Sequence, residues 1–115
     1  MNIGIQSGRM FFLVNSKSKV DLLRKDLILI FGTTIDFKMN VLKIFPKQIK
    51  DDDGILTIKT DNSIMEFYYG TEELIDKFVM VDVKFSEEPS LDLKKLCAKT
   101  GWLLFDLDFE EYVDK

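Results

Sequence analysis

The chain has no histidine and a single cysteine, Cys97, among 115 residues. Without histidine there is no Ser-His or Cys-His nucleophile pair and no imidazole ligand for zinc. One cysteine excludes an intramolecular disulfide, and it excludes a thiolate zinc or iron–sulfur site within one chain. Glycine is also sparse. Gly32, Gly54, Gly70 and Gly101 stand isolated, so neither a phosphate-cradling Walker loop nor a Gly-x-Gly-x-x-Gly dinucleotide fingerprint is present. With two prolines and no Pro/Gly/Ser tract, nothing divides the chain into units. The longest apolar run, residues 27–31, is far shorter than the roughly 20 residues of a bilayer-spanning helix. Residues 1–9 lack the apolar stretch of a secretory signal. The expectation is a single α+β domain over residues 1–115, cytoplasmic, with no cofactor, no metal and no membrane contact.

What is present supports a packed core. Hydrophobic residues make up 46% of the chain and ten of them are Phe, which argues against disorder. Charge is unevenly spread. Residues 1–50 carry nine Lys/Arg against three Asp/Glu, a net of +6, and residues 51–115 carry seven against seventeen, a net of −10. Two readings are open: the oppositely charged halves attract each other within the fold, or the acidic half steers a basic protein partner. The acidic total argues against nucleic acid, whose phosphates need clustered Lys/Arg. The spread of Lys38, Lys43, Lys47 and Lys50 reads as a solvated surface.

Apolar spacing predicts ten elements in the order β-α-β-β-β-β-α-β-α-β. Residues 10–14 read as a strand. Ser18 and Asp21 resemble a capping box opening a helix, with Val20, Leu23, Leu27 and Ile30 on one stripe and Gly32 as its stop, a reading preferred over the alternative of a buried strand at Leu27-Ile28-Leu29-Ile30-Phe31. Residues 34–38 and 41–45 alternate like strands, and residues 47–54 read as a loop. Residues 55–60 and 64–69 flank Asp61-Asn62-Ser63, the clearest hairpin. A short helix is expected over 71–78, a half-buried strand over 79–85, a helix over 91–99 closed by Gly101, and a last strand over 102–109. Consecutive central strands imply a mostly antiparallel sheet, built of meander and hairpin, with two or three helices packed on it.

The best candidate site lies on that last strand. A period of two sets Trp102, Leu104, Asp106, Asp108 and Glu110 on one face, and Leu103, Phe105, Leu107 and Phe109 on the core face. Trp102 with Asp106, Asp108 and Glu110 would form an acidic, aromatic-anchored contact surface for an Arg-rich protein. The plainer reading is a solvated strand face whose charges prevent edge-to-edge aggregation. Carboxylates two residues apart on a strand are roughly 6–7 Å apart and do not converge on a cation. Asp51-Asp52-Asp53-Gly54 lacks the alternate spacing of a calcium loop and reads as a polar turn. Cys97, beside Leu93 and Leu96 at helical spacing, reads as a packing residue. Phe67, Tyr68 and Tyr69 divide between core and surface, and Tyr68 with Met65 or Trp102 is a candidate pocket lining.

The segment Leu93-Lys94-Lys95-Leu96-Cys97-Ala98-Lys99-Thr100-Gly101-Trp102-Leu103-Leu104-Phe105-Asp106 resembles the end of several small bacterial proteins, some of them immunity proteins of toxin systems. There a short Leu/Ala helix leads through Gly-Trp into a strand ending in an aromatic residue and Asp. The resemblance implies a non-catalytic, cytoplasmic inhibitor that binds a basic toxin, and it carries over no residue roles. Two alternatives stay open: a self-associating structural or regulatory subunit, and a small-molecule enzyme or sensor that uses carboxylates, Tyr or Lys.

Overall fold

The computed structural model describes residues 8–114, so most of the 1–9 segment lies outside the described residues. In chain order the elements are β1 (Arg9–Val14), β2 (Ile30–Thr33), α1 (Thr34–Ile44), β3 (Gln48–Asp52), β4 (Ile55–Lys59), β5 (Ile64–Tyr68), β6 (Leu74–Asp76), β7 (Phe78–Lys84), α2 (Leu91–Thr100), β8 (Leu103–Asp106) and β9 (Glu111–Tyr112). Seven strands form one sheet in the order β3-β4-β5-β7-β1-β8-β9, with every neighbouring pair antiparallel. β2 and β6 form a separate antiparallel ribbon. The α+β class and the mostly antiparallel sheet are as expected, with two helices among the described residues. None of these helices is long and apolar enough to cross a membrane.

Alternation explains the core. Val79, Val81 and Val83 of β7 are buried, as are Phe11 and Leu13 of β1, Leu56 and Ile58 of β4, and Met65 and Phe67 of β5. These residues form one face of the large sheet. Phe37 and Val41 of α1 and Leu93, Leu96 and Cys97 of α2 join the same buried cluster. Phe37 lies at its centre. Its ring stands 5.9 Å from Phe31, 5.9 Å from Phe67, 6.1 Å from Tyr69 and 5.9 Å from Trp102. One side chain thereby ties α1 to the ribbon, to the end of β5 and to the entry of β8.

The first strand, the central hairpin, the strand at β7 and the last helix fall where spacing predicts. Gly101 closes α2 in the left-handed conformation, φ 83°, its N–H bonded to Cys97 O at 2.8 Å, and Cys97 is buried as expected. Four expectations are corrected. Residues 18–29 form turns, not a helix. The Asp21 carboxylate accepts from Leu23 N at 3.0 Å and Arg24 pairs with Asp26, while Leu23 and Ile28 are exposed. Val20, placed on the expected helical stripe, instead bonds Tyr112: its N–H donates to the hydroxyl at 3.1 Å and its carbonyl accepts from it at 2.7 Å. Residues 34–44 are a helix, not two strands: Thr33 Oγ1 accepts from Asp36 N at 3.1 Å, and Phe37 and Val41 bury one turn apart. Residues 48–52 are a strand, joined to β4 through Asp53 and Gly54 at φ 51° and 79°, the two-residue turn that Asp-Gly favours. Residues 74–76 are a strand in place of a helix, recruited by β2.

Phe37→Ala removes the ring that four other aromatic residues pack against, and it is expected to cost about 3–5 kcal/mol. Urea unfolding followed by circular dichroism reads the loss directly. Gly54→Ala would set its Cβ 2.7 Å from Gly70 O at a positive φ, and a loss of about 1–3 kcal/mol is expected in the same assay.

Candidate protein-binding surface

The structure does not lay the four expected site residues on one face. Trp102 is 5% exposed and Asp106 6%, so both belong to the buried side of β8, with Leu104. Trp102 packs 4.8 Å from Phe31. Leu103, Phe105 and Leu107 take the helix-free side instead, only partly covered. The inversion has a physical cause. The face that receives α1 and α2 selects Trp102 and Leu104 as core, and the strand ends at Asp106 before the alternation reaches Asp108. Residues 107–110 turn back, with Glu110 at φ 52°, to the two-residue strand β9.

Asp106 and Asp108 are brought together, but around a cation of the chain itself. Arg9 Nη2 donates to Asp106 at 2.6 Å and Arg9 Nε donates to Asp108. The other Asp106 oxygen accepts from the backbone N–H groups of Asp108, at 2.9 Å, and Phe109, at 3.4 Å. Burial disfavours the charged guanidinium, but its bonds to Asp108 and Asp106 outweigh that and push its pKa up. The cluster is a clamp between the start of β1 and the β8–β9 turn. Glu110 and the ring of Phe109 remain exposed beside it.

A second cluster braces α1. Lys38 Nζ lies 2.8 Å from Asp51 and 4.6 Å from the centre of the Tyr69 ring, and the Tyr69 hydroxyl donates to the other Asp51 oxygen. Lys38 is therefore not the merely solvated cation expected. Burial raises the Tyr69 phenol, and the bond to Asp51 raises it further against the opposing pull of Lys38. Burial also pushes Asp51 up, yet its bonds from Lys38 and Tyr69 prevail and hold the carboxyl below its ordinary value. A phenol kept protonated in this way is no base at neutral pH. The cluster joins a helix to the edge of the sheet.

The surface with the clearest binding character lies where α1 begins. Thr33, Thr34, Ile35 and Asp36 face Thr71, Glu72 and Glu73 across an open concavity of about 610 Å³. Thr34 fixes the two walls. Its N–H bonds Glu73 O at 2.9 Å and its hydroxyl bonds Glu72 O at 2.8 Å. Ile35 is 71% exposed and Leu74 55%, with Ile30 exposed on the adjoining ribbon. Cross-strand pairing sets Leu74 beside Thr33, and Asp76 beside Ile30. Asp36 answers the partial positive charge of the helix start. Glu72, Glu73 and Asp76 carry exposed carboxylates that enter no ion pair among the described residues. Exposed apolar side chains rimmed by polar residues make this concavity a candidate contact surface. Sequence reasoning missed it because Thr71-Glu72-Glu73-Leu74 reads as a helix start. Its signal was the pair of adjacent carboxylates ahead of Leu74-Ile75.

No protein-family model matches the chain, and neither a curated protein nor a solved structure matches it.

The phenols of Tyr68, Tyr69 and Tyr112 are all pushed up, in each case first by burial. In the folded protein phenolate absorbance should therefore emerge above the ordinary value of about 10. A raised pKa means that the folded state holds these protons more tightly. The stability they contribute is fully present below the unfolded value and is lost as pH climbs through the folded ones. Thermal melts across the alkaline range should fall accordingly, and Asp51→Asn should bring the titration of Tyr69 back toward the ordinary value.

Proposed function

We propose that the chain acts by binding another protein, as a cytoplasmic, immunity-type inhibitor that neutralises a basic bacterial toxin, and not by catalysis. The observation that carries this reading is the groove at the start of α1. Ile35 and Leu74 stand exposed among Glu72, Glu73 and Asp76, while the carboxylates of Asp51, Asp106 and Asp108 are matched by Lys38 and Arg9. A basic partner would find charge still uncompensated there and apolar anchors beside it. The net of −10 over residues 51–115 adds long-range attraction. The likeness of residues 93–106 to the ends of immunity proteins points the same way.

The alternative placement of the contact is the β8–β9 turn, which carries two of the residues expected from sequence, Asp108 and Glu110. Phe109 is 67% exposed next to Asp108 and Glu110, so this turn offers an aromatic anchor with carboxylates on either side.

The chain immobilised as bait in lysate of its source organism should retain a basic protein in near-equal amount, released by raised salt and identified by mass spectrometry. Glu72→Lys with Glu73→Lys should then slow association with that protein by roughly tenfold or more and flatten its salt dependence. Phe109→Ala with Glu110→Lys, which spares the Arg9 clamp, should leave it near the original rate. The reverse pattern would move the contact to the β8–β9 turn, and a retained partner indifferent to both pairs would sink both placements.

A further inference from the structure

β3 forms one edge of the seven-stranded sheet and pairs on one side only, with β4. All five of its residues are exposed, and Ile49 at its middle is 56% exposed. The other edge, β9, is two residues long, too short to template a strand. In a hairpin closed by a two-residue turn, the flanking residues exchange both backbone bonds, and the pattern then alternates. Asp52 and Lys50 therefore spend their backbone groups on Ile55 and Thr57, whereas Asp51, opposite Leu56, turns its N–H and C=O outward.

The order of charge along this edge is informative. Lys47 and Lys50 come first, and Asp51, Asp52 and Asp53 follow. Reversed about Asp51, the strand is complementary to itself, because Lys50 of each copy then faces Asp52 of the other. A parallel partner would meet like with like. Opposite charges facing one another or diagonally across a strand pair are attractive, and like charges are destabilising. We propose that β3 is a self-association edge, on which two copies of this chain join antiparallel about a two-fold axis at Asp51, whose outward N–H and C=O then bond their counterparts while its carboxylate stays held by Lys38. This inference is independent of the toxin reading and uses a different surface.

Lys50 and Asp52 lie on the helix-free side with Thr57 and Ile55, their cross-strand partners. Their contact within one chain is 3.8 Å long and exposed at both ends, so it has little to lose on exchange. The mixed charges, and the irregularity of register between Gln48 and Lys50, act as edge protection against arbitrary strands. They leave one arrangement in which basic and acidic halves are matched.

Sedimentation velocity over a range of concentrations tests the edge. The expected result is a reversible monomer–dimer equilibrium that shifts toward monomer as salt is added. Lys50→Asp and Asp52→Lys should each raise the dimer dissociation constant by roughly tenfold. The combined Lys50→Asp/Asp52→Lys chain should recover the original constant, because the swap restores complementarity. Both positions are exposed, and thermal melts confirm that the variants fold. A protein that stays monomeric at every concentration overturns the proposal. So does a dimer that ignores the single changes, or one that the double swap fails to restore.

Discussion

The packing of Phe37 is the contact on which the architecture depends. A single helix supplies this ring, yet Phe31 of the ribbon, Phe67 and Tyr69 at the end of β5, and Trp102 ahead of β8 all pack around it. Both helices join the cluster on one face of the large sheet, and α1 is held there by these rings together with Val41. The groove at the start of α1 inherits its position from that seat. Ile35 and Asp36 are the two residues before Phe37, and on a helix neighbours so close cannot share its inward direction. Burying Phe37 obliges them to face outward toward Glu72 and Glu73.

Electrostatics divides the acidic half of the chain into two populations. Some carboxylates serve the fold: Asp106 and Asp108 hold Arg9, Asp51 holds Lys38, and buried Asp92 accepts from the hydroxyls of Thr60 and Ser63, fastening the β4–β5 turn to the first turn of α2. Others, Glu72, Glu73 and Asp76 among them, have no such cation among the described residues. Composition counts the two kinds alike. The acidic total was readable from the amino acids, but which part of it is free depends on where the basic first half arrives in three dimensions.

The same limit governs what was legible. Elements whose local signals agreed with their packing were readable: the alternation Val79-Val81-Val83, the hairpin about Asp61-Asn62-Ser63, and the helix ending at Gly101. Where two patterns coexisted, tertiary contacts decided. Residues 34–44 carry both an alternating pattern and the cap of Thr33 with Phe37 and Val41 one turn apart, and the sheet's need for a cover selected the helix. Residues 18–29 carry helical spacing, yet a local turn at Asp21 and the bonds between Val20 and Tyr112 shape the segment. Trp102 shows the error most plainly. A period of two separates a strand into faces but does not say which face is inward. The aromatic cluster about Phe37, assembled from distant segments, made that choice.

The order of synthesis bears on the position of β1. Its two neighbours in the sheet are β7 and β8, residues 78–84 and 103–106, so a strand made at the beginning is completed only near the end. An emerging nascent chain exposes Phe11, Phe12 and Leu13 long before either flanking strand leaves the ribosome. The meander β3-β4-β5 closes through adjacent turns and can form early, whereas the middle of the sheet waits for closure over some seventy to ninety residues, the slow step in a fold of non-local pairings. During that interval the apolar first strand is the part of the chain most open to mispairing.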